Sequence, residues 1–145
     1  MKNEFKLQLA TSEEDIKKCQ QVILELRPQL KDRDIWQIYQ QQRKENFQII
    51  YIRRDEIGVA FIGFRIQNMF HSGKTLYIDD LCTLSSYRSR GLAGELLKEV
   101  FSIAKKEKCD TVSLDSGHQR HEAHRLYLNA GFDISSHHFQ HILNR

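Results

Sequence analysis

Residues 75–100 carry the residue types most able to do chemistry: a strand, a short turn and the start of an amphipathic helix. The turn combines basic and small residues at the mouth of the helix: Arg88, Arg90, Gly91, Ala93 and Gly94. A helix N-terminus presents N–H groups without intrahelical partners and is electropositive, and small residues let a ligand approach the backbone. The stretch therefore predicts an anion site for a phosphate or pyrophosphate. A ligand-free loop-to-helix transition is the alternative, but helix starts usually carry Ser, Thr, Asp or Asn.

Bulk properties narrow the class of protein. A chain of 145 residues predicts a single domain over residues 1–145 with its own core. The net charge of +3 is too small to favour a nucleic-acid partner, and the absence of a long apolar run argues against a membrane partner. Three dispersed cysteines, Cys19, Cys82 and Cys109, argue against a disulfide framework. We therefore expect a cytoplasmic protein.

Hydrophobic periodicity and turn residues predict ten elements in the order βααβββαβαβ. The strands are expected at residues 5–9, 47–52, 57–66, 75–84, 111–114 and 135–143, and the helices at 12–27, 32–44, 91–106 and 119–130. The helix between the fourth and fifth strands makes that pair parallel. The predicted fold is α+β, an α/β sandwich whose mixed, mostly antiparallel sheet carries helices on both faces. Gly58 and Gly63 predict a bulge or a close approach in the third strand.

Two segments resemble the GNAT family of N-acetyltransferases. RSRGLA, residues 88–93, fits the family signature Arg/Gln-x-x-Gly-x-Gly/Ala, and the surrounding YIDDLCTLSSYRSRGLAGELL resembles its strand–turn–helix segment. The later HEAHRLYLNAGF resembles the family helix that ends in Tyr-x-x-x-Gly-Phe. Both segments occur in the family's order and on the expected elements, so the resemblance covers nearly the whole chain.

The resemblance implies that acetyl-CoA is the cosubstrate and lies between the fourth and fifth strands. Its pyrophosphate would rest on the turn, and its thioester would lie against a backbone N–H of the fourth strand. The implied cofactor-binding residues are Leu81, Cys82, Thr83, Arg88, Ser89, Arg90, Gly91, Leu92, Ala93 and Gly94. Many members carry an asparagine where this chain has Arg120, which would meet the CoA phosphates instead.

The resemblance also implies direct acetyl transfer to a primary amine. Tyr127 matches the tyrosine that protonates the leaving thiolate, and Asp79 matches an acidic position that helps to accept the amine proton. An aspartate of pKa about 4 is a poor base for an amine near 10, so Asp79 needs a water relay or a raised pKa. Adjacent strand residues point to opposite faces, which predicts a different, structural or substrate-facing role for Asp80.

Several alternatives stay open on the sequence. An acetylated Cys82 would give ping-pong chemistry, but no activating base lies near it, and a buried strand cysteine is commoner. His121 and His124 have a spacing that could share a metal, but exposed histidines on a helix are commoner, so no metal is predicted. An acyl-CoA sensor without activity and an RNA-binding module with a KH-like Gly91–Gly94 loop are rival functions, although a strand rather than a helix precedes this turn. The acceptor is a small-molecule or peptide amine that the sequence does not identify, and a homodimer is equally undecided.

Overall fold

A computed structural model describes residues 4–144 and contains one five-stranded sheet in the order β1-β2-β3-β4-β5. The strands are β1 (Phe5–Leu9), β2 (Phe47–Arg54), β3 (Ile57–Met69), β4 (Gly73–Thr83) and β5 (Thr111–Leu114), and the helices are α1 (Glu13–Leu26), α2 (Ile35–Arg43), α3 (Leu92–Lys106) and α4 (His121–Asn129). The first four strands are antiparallel and β5 runs parallel to β4. The α+β fold with a mixed sheet is confirmed.

The chain divides into two compact units, one ending at Leu114 and the other beginning at Asp115. The first unit holds the whole sheet with α1, α2 and α3, and the second holds α4. A single acetyltransferase domain over residues 1–145 stays a prediction.

Helix α1 begins where the sequence predicts, because Ser12 and Asp15 form a capping box. The Ser12 side chain accepts from the Asp15 N–H at 3.2 Å, and the Asp15 carboxylate accepts from the Ser12 N–H at 3.1 Å. Each bond satisfies a backbone N–H that lacks an intrahelical partner. Pro28 opens a short 3₁₀ turn (Pro28–Leu30) directly after the helix.

Helix α2 begins three residues later than the predicted start at residue 32. Asp32 has a φ of 68°, which is outside the helical region, and Asp34 is the N-cap, accepting from the Gln37 N–H at 3.0 Å. Side-chain capping, rather than the hydrophobic pattern, decides this boundary.

The helices of the first unit cover both faces of the sheet. Phe61 of β3 lies with Ile38 of α2 on one face, whereas Phe64 lies with Ile103 of α3 on the other. This follows from strand alternation, since positions an odd number of residues apart point to opposite faces. Helix α1 also packs on the α2 face, against β3 and β4.

The predicted irregularity of β3 is confirmed at both of its glycines. Gly58 lies beside a bulge opposite Ile52 and Arg53, and a Cβ there would meet the backbone of α1 at 3.0 Å from the Lys18 carbonyl oxygen. Gly63 lies beside a second bulge, in β4, and a Cβ there would overlap the Phe47 ring. Glycine therefore lets α1 and an aromatic ring approach the sheet closely.

The strand predicted at residues 135–143 is wrong, because the structure has no strand or helix over those residues. Phe139, Ile142 and Leu143 are the large apolar residues of this stretch, and their side chains are exposed. A strand needs a neighbour to satisfy its backbone groups, and apolar residues by themselves do not supply one.

None of the helices within residues 4–144 is long and apolar enough to cross a membrane.

The buried Asp15 carboxylate makes folding stability depend on pH. Its side chain accepts hydrogen bonds from Tyr51 Oη at 2.6 Å and Thr11 N at 2.8 Å, besides those from Ser12. Burial opposes its ionisation, but these hydrogen bonds outweigh burial and lower the pKa of Asp15 from 3.8 to about 2. Because the folded pKa is depressed, the stabilisation is present above pH 4 and is lost as the pH falls towards 2.

We expect the stability difference between the wild type and Asp15→Asn to shrink by about 2 kcal/mol between pH 6 and pH 2. Urea unfolding followed by circular dichroism at several pH values measures this difference. Glu14→Gln is the matched control, because the Glu14 side chain is 76% exposed and should show no comparable change. A difference between wild type and Asp15→Asn that stays constant with pH would contradict the assignment.

Candidate active site

Strands β4 and β5 pair over only part of their length. The parallel register runs from Thr75 opposite Thr111 to Ile78 opposite Leu114, where β5 ends. Strand β4 continues to Thr83 while pairing with β3, and this continuation contains Leu81, Cys82 and Thr83. The pairing thus ends where the sequence predicts that a cofactor enters between these strands.

A β-bulge changes the predicted orientation of the two aspartates. Gly63 pairs with Asp80 and Phe64 pairs with Ile78, so Asp79 is an extra residue without an opposite partner on β3. A bulge shifts the alternation by one residue, and both carboxylates consequently lie on the face covered by α1 and α2. The prediction that they point to opposite faces is wrong for this reason.

Each aspartate is bound by a different arginine. Arg65 of β3 donates from Nε and Nη2 to the two oxygens of Asp79, at 3.0 and 2.8 Å. Arg27, at the end of α1, donates to Oδ1 of Asp80 at 2.8 Å from Nε, and its Nη2 also donates to the Asp79 carbonyl at 3.1 Å. The two guanidinium groups together therefore hold the bulge in place.

The electrostatic environments of the two carboxylates differ. The Asp80 side chain is 15% exposed, and burial raises its pKa against the opposing effect of Arg27. Both Asp79 oxygens accept hydrogen bonds from one guanidinium, that of Arg65, in a bidentate pair. At Asp80 both contacts with Arg27 fall on Oδ1, and Oδ2 lies over Gly63, 3.2 Å from the place that a Cβ would take.

The turn predicted to bind an anion contains two residues in the left-handed region of backbone conformation. A 3₁₀ turn (Ser85–Tyr87) follows β4, Ser89 and Gly91 have φ values of 63° and 77°, and α3 begins at Leu92. Gly91 is the N-cap and supplies no side-chain acceptor. Within residues 4–144, the backbone N–H groups of residues 89–94 have no hydrogen-bond acceptor.

Both glycines of the turn leave its surface open. A Cβ added to Gly91 or Gly94 would meet no atom within 4 Å. Internal packing therefore does not require glycine at residue 94, whereas the positive φ favours it at residue 91. Open backbone and free N–H groups at a helix N-terminus are the features that favour a bound anion.

Side-chain contacts hold the turn in place. Glu25 of α1 accepts from the backbone N–H and the hydroxyl of Ser85, and from Arg88 at 3.3 Å. The Arg90 guanidinium lies over the Tyr87 ring at 5.1 Å. These contacts place both arginines beside the open backbone without using its N–H groups.

In the second unit, the end of α4 fixes the ring of Tyr127. Gly131, with a φ of 97°, follows the helix and donates to the Leu128 carbonyl, and the Phe132 N–H donates to the Tyr127 carbonyl at 3.0 Å. These are the two bonds of a Schellman cap, and Phe132 packs edge-on against Tyr127 with 5.9 Å between ring centroids. The Tyr-x-x-x-Gly-Phe pattern is thus a device that closes the helix and orients the tyrosine. Burial raises the pKa of Tyr127, with Arg120 opposing, so the phenol is protonated at neutral pH.

The sequence also draws attention to Arg120, the histidines and Cys82. Arg120 is the N-cap residue of α4, and the His124 ring lies 2.8 Å from the Gly117 carbonyl oxygen. Among the described residues, no group of three or more His, Cys, Asp or Glu side chains is placed to hold a metal ion. Cys82 is partly exposed on β4.

Comparison with known proteins identifies the family. Residues 13–132 match the Acetyltransferase (GNAT) family. The chain belongs to this family. The uncharacterized N-acetyltransferase YhdJ of Bacillus subtilis (strain 168) is 33% identical over 136 residues, which cover 90% of this chain and 93% of YhdJ.

Solved structures of other proteins share the GNAT fold. A transcriptional regulator from Bacillus halodurans C-125 superposes with a TM-score of 0.82 and 19% identity, over 97% of this chain and 100% of that one. The aminoglycoside N-acetyltransferase AAC(6′)-Iy, solved in complex with CoA, superposes with a TM-score of 0.76 and 14% identity, over 99% of this chain and 97% of that one. These likenesses concern the fold, whereas the GNAT membership supports acetyl transfer as the general activity.

Sequence reasoning missed the two arginines that bind the aspartates. Arg27 and Arg65 lie 53 and 14 residues away in sequence from the carboxylates that they contact. The usable signal was two adjacent aspartates inside a strand, which require nearby cations when they are buried. Nothing in the local pattern indicates which of the 22 Lys and Arg residues supply them.

The substitution Gly94→Ala separates a structural from a ligand-binding role of the turn. Gly94 lies in the first turn of α3 and an added methyl meets no protein atom, so alanine should stabilise the free protein by about 0.5–1 kcal/mol. The same methyl should weaken CoA binding at least tenfold by blocking approach to the backbone. Thermal unfolding and calorimetric titration with CoA measure the two effects, and an unchanged CoA affinity would argue against a ligand at this turn.

Proposed function

We propose that this protein transfers an acetyl group from acetyl-CoA directly to a primary amine. The observation that carries the proposal is the open turn before α3, where unsatisfied N–H groups, Arg88 and Arg90 surround exposed backbone in a chain of the GNAT family. The pyrophosphate of acetyl-CoA would bind to this turn, and the pantetheine arm would follow β4 beyond its last pair with β5. A backbone N–H near Cys82 or Thr83 would polarise the thioester carbonyl.

The transfer forms one bond and breaks one. The neutral amine nitrogen attacks the thioester carbonyl carbon, the C–N bond forms, and the C–S bond of the tetrahedral intermediate then breaks. The Tyr127 hydroxyl donates its proton to the leaving thiolate, and the proton lost by the amine passes to a carboxylate or to water. The products are an acetamide and CoA with a free thiol.

The geometry favours Asp80 over Asp79 as the proton acceptor. Both oxygens of Asp79 are engaged by Arg65, which leaves neither of them free to take the amine proton. Asp80 accepts from Arg27 on Oδ1 alone, and its pKa is raised by burial, closer to the working pH of a base. We therefore propose Asp80 as the proton acceptor in place of Asp79, the residue predicted from the sequence, and Asp79 as a carboxylate bound by Arg65 beside it.

Acetyl-CoA binding and the role of Tyr127 are tested together. Acetyl-CoA at a hundredfold excess over its Kd should stabilise the fold by about 2.7 kcal/mol, measured as a thermal shift. We expect Tyr127→Phe to retain the acetyl-CoA Kd within twofold and to lose about a hundredfold or more in kcat, because only the transferable proton is removed. Binding without CoA release in the wild type would instead indicate an acyl-CoA sensor, and unchanged turnover of Tyr127→Phe would exclude it as the acid.

The pH profile tests Asp80. Arg27 lowers the pKa of Asp80, so Arg27→Gln should raise that pKa, and the acidic limb of the kcat profile should move to higher pH. Asp80→Asn should remove the limb and lower kcat about a hundredfold or more. Lys98→Gln is the control, because Lys98 is exposed on α3, and it should leave the profile in place. An acidic limb that does not respond to Arg27→Gln would return the base role to water.

A further inference from the structure

A small apolar cavity adjoins Asp80 on the face of the sheet covered by α1 and α2. Its volume is about 210 Å³, below the ~300–1,000 Å³ typical of sites for drug-sized ligands. The floor is made by side chains that are fully buried: Ile23, Tyr39, Phe47, Ile49 and Phe61. The apolar part of the rim is half-buried and comes from the 3₁₀ turn and α2: Leu30, Ile35 and Ile38. Two polar side chains of the same elements, Gln29 and Gln42, complete the rim.

The floor presents carbon rather than polar atoms. The Tyr39 hydroxyl donates to the Ala10 carbonyl at 2.8 Å and accepts from the Ile49 N–H at 3.1 Å, so only its ring is left to face the cavity. The Phe47 ring rests on Gly63, where a Cβ would overlap it. A hydroxylated group placed against this floor would lose its hydration without gaining partners there.

Asp80 and Arg27 are the only charged side chains that line this cavity among the described residues. Arg27 is bound to Oδ1, which leaves Oδ2 of Asp80 as the oxygen for an incoming amine. An ammonium group is attracted to that oxygen, while the nearby guanidinium disfavours a second positive charge and so promotes loss of the ammonium proton. The site therefore suits one nitrogen that binds as a cation and reacts as a neutral amine.

The cavity lies close to the proposed reaction centre. Cys82 follows Asp80 by two residues on β4, which places it on the same face about 7 Å further along the strand. An amine held at Asp80 can thus reach towards the thioester, with its carbon substituent in the cavity.

We propose that the acceptor is a small primary amine on a short apolar arm, aliphatic or aromatic, whose arm fills this cavity. The inference rests on the proposed acetyltransferase function and specifies its substrate class. Amino sugars and aminoglycosides would have to bury hydroxyl groups against apolar walls. Polyamines would bring a second ammonium group, and the cavity has no carboxylate besides Asp80 to bind it.

The experiment compares amines in an assay for free CoA, with acetyl-CoA binding measured separately by calorimetry. The probes are isoamylamine and phenethylamine, against glucosamine, kanamycin and spermidine. We expect kcat/KM for the better apolar amine to exceed that for each polar amine at least tenfold, since one methylene in an apolar pocket is worth about 10–200-fold. We expect Ile35→Gln, at the half-exposed rim, to lower kcat/KM for the apolar amine about tenfold through KM, with the acetyl-CoA Kd unchanged.

Ile57→Gln is the matched control, because Ile57 is an isoleucine of β3, 47% exposed and outside the cavity, and should leave both constants unchanged. Acetyl-CoA binding combined with a preference for an amino sugar or polyamine, or with no turnover of any apolar amine, overturns this inference and leaves the binding part of the proposed function standing. Absence of acetyl-CoA binding overturns the proposed function itself and the inference with it. Equal losses for Ile35→Gln with apolar and polar amines would also overturn the inference, because the rim would then not distinguish an apolar arm from a polar one.

Discussion

The β-bulge at Asp79 is the constraint on which the candidate site depends. One extra residue in β4 turns two consecutive carboxylates to the same face, where α1 and the sheet would otherwise bury them without partners. Two half-buried carboxylates side by side are tolerable only because Arg27 and Arg65 each bind one of them. The same arginines make the pair unequal, since one carboxylate is fully engaged and the other keeps an oxygen for chemistry. The bulge and its two arginines thus give two adjacent aspartates, which would otherwise destabilise the strand, different roles.

The open turn before α3, in contrast, leaves its backbone N–H groups without internal partners. Helix α1 has a complete capping box and α2 has an aspartate cap, so both starts are satisfied internally. Helix α3 begins at a glycine in the left-handed region with no side-chain cap, although it is the longest helix of the sheet-bearing unit. A stabilising serine or aspartate at this position would occupy the N–H groups that an anion needs. The chain therefore gives up local helix stability at the one helix start where a ligand is proposed.

The sequence predicts the elements well because most of them are specified locally. Nine of the ten expected elements are present, with caps at Ser12 and Gly131 where their residue types indicate them. The failures are non-local. The strand expected at residues 135–143 needs a partner edge, and the orientation of Asp80 depends on a bulge set by pairing with β3. Arg27 reaches Asp80 across 53 residues, a contact that no periodicity encodes.

The unequal surroundings of the cavity bear on how an acceptor would be selected. Its floor is rigid, because Tyr39 is bonded to two backbone segments and Phe47 is seated on a glycine. Its rim comes from the 3₁₀ turn and from α2, the helix that Tyr39 itself fixes to two backbone segments. A rigid floor limits the length of the arm that can enter. Selectivity in this chain should accordingly be strict for polarity and length.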